Sequence, residues 1–232
     1  MVRTGAAAMR GRTPNGQPRL SPQGQHTRRR IIESAADLMF RHGVAGTSMP
    51  AVQEAAGVSA SQIYHYFGDK TGLVRAVMSY RVSSAEASGA FSPGRFDSIA
   101  SLEAWRDTVL ALQIDRDCVG GCEFGALVSE LADSAPIYRG DAVDGYARLE
   151  APIRDGLRAM YHRGELSADA DPDALALALL AALQGGLLMS KARRDVTALR
   201  AVLDAVIDRI RALAKGGDAG HPGEMTGESR RP

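Results

Sequence analysis

Residues 47–70, TSMPAVQEAAGVSASQIYHYFGDK, constrain this chain more than any other stretch. Thr47 and Ser48 are helix N-cap residues, whose side-chain oxygens satisfy free amides at a helix start. Pro50 falls in the first turn, where a missing N–H costs little. Val52, Ala55 and Ala56 recur at three and four residues and form one apolar stripe. Gly57 permits a positive φ and stops the helix. Val58 plugs the core, Ser59 caps the next helix, and Ile63 and Phe67, four apart, face inward. The pattern predicts two short helices joined by a tight glycine turn, the layout of a helix-turn-helix.

The second of these helices projects Ser61, Gln62, Tyr64, His65 and Tyr66 outward. Singly, each reads as an ordinary solvated side chain, and Ser59 is a cap before it is anything else. Their density sets the helix apart. No carboxylate interrupts the span from Gly57 to Gly68, and carboxylates would repel a phosphate backbone. Asp69 is the expected cap of the following helix. Lys70 in its first turn opposes the helix dipole, and a phosphate docked there would compensate. Ser59 and Gln62 therefore join the candidate DNA contacts.

The run from Thr27 to about Leu73 resembles the DNA-binding domain of the TetR family of transcriptional regulators. The matching pieces are RRRIIESAADLMFRHGVAGTSM and AAGVSASQIYHYFGDKTGL, with the signature Tyr64, Tyr66, Phe67 and Lys70. The resemblance implies DNA contacts by Thr47, Ser61, Tyr64, His65, Tyr66 and Lys70. Pro50 departs from many relatives and bears on phosphate contacts at that helix start.

Charge divides along the chain. Residues 1–80 carry ten Lys and Arg against four Asp and Glu, a balance of +6; residues 81–214 carry fifteen against twenty, a balance of −5. A basic head on an acidic body fits a DNA-binding module with a separate sensing body. Hydrophobic content of 45% supports a core, and aromatic content of 5% with abundant Ala, Leu and Arg favours helices. The expected fold is all-α: a three-helix helix-turn-helix head and a larger helical body for ligand binding and dimerisation, about nine helices in total. The expected division is a disordered basic tail over 1–25, the head over 26–72, the body over 73–214 and a second disordered tail over 215–232. The first tail reads either as floppy chain or as an arm adding phosphate or minor-groove contacts.

The first helix opens at Arg28 to Arg30, turns Ile31, Ala35, Leu38 and Met39 inward and ends at Gly43. Further helices are expected over about 70–87, 101–115, 123–133, 136–163, 172–194 and 196–214. In the 172–194 helix Asp171 is the cap, Pro172 the first residue, and Ala174, Leu177, Ala178, Ala181, Ala182, Gly185 and Gly186 form a small-residue surface. The last helix adds Leu199, Val202, Leu203, Val206, Ile210 and Leu213. Residues 172–213 of two copies would make a four-helix interface with two-fold symmetry, matching a palindromic double-stranded operator. The alternative for the small residues is burial within one subunit.

GGCEFGALVSELAD and RGELSADADPDALALALLAALQGGLLMSKARRD resemble the LmrA/YxaF-like branch of the family's C-terminal domains. That resemblance implies an effector-binding domain with no particular effector class. Candidate pocket walls are Trp105, Phe124, Leu127, Tyr138, Tyr146, Met160, Tyr161 and Met189, with Gln184 or His162 as polar anchors. The same residues also read as plain core. Cys118 and Cys122 read as structural residues packing a turn, with redox sensing the alternative; the nearest His, His162, lies forty residues on, so no metal or other cofactor is expected. No run of eighteen apolar residues and no signal-peptide core is present, which points to a cytoplasmic protein without a membrane span. No catalytic constellation emerges. The reading is a ligand-responsive repressor, homodimeric on a palindromic operator and released by an unknown small-molecule effector. The alternatives are a DNA-binding protein without effector control, or a cysteine-based redox sensor or enzyme.

Overall fold

The computed structural model describes residues 20–88, 91 and 96–214. Among these residues there are nine α-helices and no strand. They are α1 (Pro22–Gly46), α2 (Met49–Ala56), α3 (Ala60–Phe67), α4 (Lys70–Ala87), α5 (Ile99–Asp115), α6 (Glu123–Ser134), α7 (Arg139–His162), α8 (Pro172–Arg193) and α9 (Thr197–Leu213). A short 3-10 helix, Pro136–Tyr138, precedes α7.

Local capping explains most boundaries. The Asp69, Ser98 and Asp171 side chains accept backbone N–H groups at the starts of α4, α5 and α8. α1 begins at Pro22, six residues before the arginines that the sequence reading placed at its start. The Ser21 hydroxyl accepts the Gly24 N–H at 3.2 Å, and Pro22 occupies the first turn. Residues 22–25, expected in the disordered tail, are therefore helical. The rest of that tail, and all of 215–232, lie outside the described residues.

The described residues divide into two compact units, one within Met1–Ser88 and Cys122–Arg148, the other within Gly89–Gly121 and Leu149–Pro232. The expected boundary near residue 73 does not follow this grouping, because α4, α6 and the start of α7 pack with the head helices. In the first unit Ile31, Ala35, Ile63, Leu73, Val74 and Val77 make a fully buried core. Arg81 on α4 ties this core to its neighbours by ion pairs with Asp37 on α1 and Glu123 on α6. Leu38 is half-buried, and Ala55, expected on the inward stripe, is exposed.

In the second unit Trp105 is fully buried with its ring 5.3 Å from Phe96, edge to face. Gly156 leaves room for the Phe96 backbone, which a Cβ would meet at 2.6 Å. α8 and α9 are tightly joined. A Cβ at Gly186 would lie 2.8 Å from the Leu199 Cα, so glycine sets the closeness of the two helices. α8 also reaches the length and mean hydropathy, 1.6, of a membrane-crossing helix. Gln184 and Ser190 interrupt its apolar residues, so no uninterrupted run of eighteen occurs, and a helix packed in a protein core passes the same test of length and hydropathy.

Candidate nucleic-acid interface

The turn between α2 and α3 forms by the local chemistry read in the sequence. Ser48 rather than Thr47 caps α2, accepting the Ala51 N–H at 3.2 Å. Gly57 takes the left-handed conformation, φ 59° and ψ 46°. Such a residue at a helix end lets the chain reverse without a Cβ penalty. The Val58 N–H then donates to the Gln53 carbonyl at 3.1 Å. Ser59 and Gln62 close a capping box: the Gln62 N–H donates to Ser59 Oγ at 3.3 Å, and the Ser59 N–H to Gln62 Oε1 at 3.0 Å.

α3 buries Ile63 completely. Ser59, Ser61, Gln62, Tyr64 and His65 are exposed, while Tyr66 and Lys70 are half-buried. Seven of the eight candidate DNA contacts thus lie along one short helix and its flanks. Ser59 and Gln62 are partly committed to the cap, and the Ser59 and Ser61 hydroxyls lie 2.9 Å apart. The His65 and Tyr66 rings pack edge to face, 5.1 Å apart, which orders two neighbouring side chains of the set.

Thr47 is the exception. It is 2% exposed, and its hydroxyl donates to the Gly43 carbonyl at 2.7 Å. Its own N–H is bonded to the Val44 carbonyl. Thr47 is therefore a structural residue of the α1–α2 corner, and no side-chain face is left for a phosphate. Phe67, expected inward, is half-buried with the Arg28 guanidinium 5.4 Å above its ring. This pairing, not expected from the sequence, joins the second turn of α1 to the end of α3. The basic run RRR was its only local signal.

The candidate ligand residues are dispersed. Phe124, Tyr138 and Tyr146 belong to the first unit; Trp105, Met160, Tyr161, Gln184 and Met189 belong to the second. Trp105, Phe124, Tyr138 and Met160 are buried, whereas Met189 is 46% exposed. Tyr161 donates to the Ala168 carbonyl at 3.3 Å, a local bond. Burial pushes the Tyr146 phenol up to about 12, with the Cys122 thiol adding to the shift. Of all the candidate pocket residues, including Leu127 and His162, only Phe124 lines a described cleft. That cleft, about 160 Å³, lies within the first unit among α4, α6 and α7. Arg75, Met78, Ser79, Val82, Asp141, Asp144, Gly145 and Arg148 complete its walls. Charged residues brought together from two helices gave no local sequence signal.

Cys118 is buried at a positive φ of 54°, and Cys122 caps α6, its sulfur accepting the Gly125 N–H at 3.2 Å. On α8, Ala174, Leu177, Ala178, Ala181, Gly185 and Leu188 are exposed along one face. Gly186, expected on that face, instead packs against Leu199 of the same chain. Likewise Leu199, Leu203, Ile210 and Leu213 of α9 are buried within the unit rather than offered to a partner.

A capped helix-turn-helix with a polar second helix, on a chain of helices, defines a helix-turn-helix transcriptional regulator. Residues 31–77 match the family described as "Bacterial regulatory proteins, tetR family", and residues 98–206 match "Tetracyclin repressor-like, C-terminal domain". The chain belongs to the TetR family. It is 23% identical over 186 residues to the transcriptional repressor AcnR of Corynebacterium glutamicum, covering 80% of this chain and 93% of that protein. It is 29% identical over 200 residues to the regulatory protein RaaS of Mycobacterium tuberculosis, covering 81% and 84%. A TetR transcriptional regulator from Chloroflexus aurantiacus shares the fold, with a TM-score of 0.70 at 24% identity over 84% of this chain and 98% of that one. These relatives are all described as transcriptional regulators or repressors.

Proposed function

We propose that this protein is a repressor that binds a palindromic operator as a homodimer and leaves it when a small-molecule effector binds. The observation that carries the reading is α3, an exposed helix held by caps at both ends with no carboxylate along it. Ser59, Ser61, Gln62, Tyr64, His65, Tyr66 and Lys70 are the proposed contacts. Hydroxyl, amide and imidazole groups reach base edges and phosphates, while Lys70 supplies charge to the backbone.

The exposed apolar face of α8 supports pairing. Ala174, Leu177, Ala178, Ala181, Gly185 and Leu188 repeat at helical spacing, and a continuous apolar face of this kind is characteristic of a covered surface. A palindromic operator repeats its half-site about one DNA turn apart, roughly 34 Å, so reading it takes two copies. Dimerisation uses one face of α8 with the half-buried Val202 and Val206 of α9. Residues 26–72 act as the DNA-reading part and 73–214 as the sensing and pairing part, in the cytoplasm. TetR-family regulators act as dimers with small-molecule effectors, and the curated relative AcnR is itself described as a repressor.

Selection from a random-sequence duplex pool by the purified protein tests this directly. The expected product is an inverted repeat bound by two protomers. Recovery of unrelated sequences, or of single half-sites held by one protomer, overturns the reading.

A further inference from the structure

The cleft among α4, α6 and α7 has a definite chemical character. Its floor is apolar: Met78, Val82 and Phe124 are all buried. Gly145 makes the floor possible, because a Cβ there would fall 2.2 Å from the Phe124 ring. The rim is charged and arranged as two latches between α4 and α7. At one end Arg75 of α4 donates from Nε to Asp141 Oδ2 at 3.0 Å and from Nη2 to the Ile137 carbonyl at 3.2 Å. At the other end Arg148 of α7 donates from Nη2 to Glu86 Oε2 at 2.6 Å and to Ser83 Oγ at 3.1 Å, and from Nε to Glu86 Oε1 at 3.2 Å.

Each latch is internally neutral. Asp144 is left over. It is exposed, lines the cleft one turn from Asp141, and has no ion pair or hydrogen bond among the described residues. Arg148, four residues further along α7, is turned away to Glu86. The cleft therefore holds one uncompensated negative charge beside an apolar floor. An anion entering would be repelled by that unpaired carboxylate at short range. A monocation with an apolar body would neutralise the site and cover the floor. The volume, about 160 Å³, is below the roughly 300 Å³ at which drug-sized sites begin, so the body is small.

We propose that this cleft binds a small organic amine carrying a single ring or a comparable apolar group. The ammonium sits on Asp144 and reaches Asp141, three residues away on the same helix face. There it competes with Arg75 for the Asp141 carboxylate. Arg75 lies five residues beyond Lys70 on α4, so loosening this latch acts on the helix that begins at the DNA-reading end. That last step rests on the effector-controlled reading above; binding of the amine does not.

Benzylamine, benzyl alcohol and benzoate share a ring and differ in charge, so they serve as probes. Calorimetric titration of the full-length protein is expected to give benzylamine at least a tenfold tighter Kd than either of the others. Asp144→Asn, a change at an exposed residue, is expected to remove that advantage while leaving thermal unfolding unchanged. Tighter binding of benzoate, failure of all three to bind, or an amine preference that survives Asp144→Asn overturns the proposal. Operator binding measured with and without benzylamine separates the two readings. Amine binding that leaves operator affinity unchanged supports the site and removes its role in release. Release of operator by other compounds, with no amine binding, removes the site and keeps the regulator reading.

Discussion

Glu130 on α6 accepts a hydrogen bond from the backbone N–H of Val44 on α1 at 2.9 Å. Its second carboxylate oxygen accepts the next amide, Ala45, at 3.0 Å. Gly43, at φ 72°, breaks the helix immediately before, so Val44–Gly46 is a new turn whose free amides need an acceptor. Glu130 is that acceptor, supplied from 86 residues away.

Removal of this carboxylate leaves two amides without a protein partner. Glu130→Ala is expected to cost roughly 1.5–3 kcal/mol of stability, the range for a hydrogen bond to a charged group. It is also expected to weaken operator binding, because the turn leads directly into Ser48 and α2. Chemical denaturation and operator titration measure the two effects. Wild-type behaviour in both would show that solvent satisfies the turn equally well.

The recognition helix makes a charge-resolved prediction. Lys70→Ala is expected to reduce the slope of log affinity against log salt by about one per half-site, as for one lost phosphate contact. Tyr64→Ala removes an uncharged side chain that is 52% exposed, so affinity falls while the slope changes little. Binding isotherms at several salt concentrations separate the two variants. Intact binding in both would mean that α3 is oriented differently on DNA.

Pairing through α8 is open to a single-residue test. Leu177 is 58% exposed in one subunit, so Leu177→Arg is expected to leave the subunit fold within about 0.5 kcal/mol of wild type. In a dimer it would bury two unpaired charges at a two-fold interface. Sedimentation velocity is expected to show a dimer for the wild type and a monomer for the variant. A dimeric variant would move the interface away from this face.

Acid sensitivity follows from the start of α8. Arg158 donates to both oxygens of Asp173, at 2.7 and 2.6 Å, and holds its carboxyl below the ordinary aspartate value of 3.8. A carboxyl lowered in the folded state contributes stability above its unfolded pKa and loses it as pH falls through the folded one. Asp173→Asn is therefore expected to destabilise at neutral pH and to approach wild type in strong acid. Both groups are exposed, so added salt is expected to shrink the difference. Denaturation midpoints at pH 7 and pH 3 check the sign.

The head was legible in the sequence because its determinants are local. Ser48, Gly57, Ser59 and Asp69 act on amides within a few residues, so spacing alone marks α2, α3 and the start of α4. The α8 cap and the apolar character of that helix were equally plain. Which of its faces packs inside the subunit was not: α8 is apolar nearly all round, and only the position of α9 separates Gly186, set against Leu199, from Gly185, which has nothing within 4 Å. Thr47 shows the same limit at the interface. Its identity suits a DNA contact, yet the break at Gly43 turns its hydroxyl onto a carbonyl.

Composition, capping signals and helical periodicity were enough for an all-helical chain with a DNA-reading helix near residue 60. The Glu130 cap, the paired latches of Arg75 and Arg148, and the unpartnered Asp144 arise only on folding. The cap and the two latches depend on charges or amides more than sixty residues apart in sequence meeting within about 3 Å. Contacts at that range are set by how helices pack, and side-chain periodicity along one helix carries no record of what its neighbour presents.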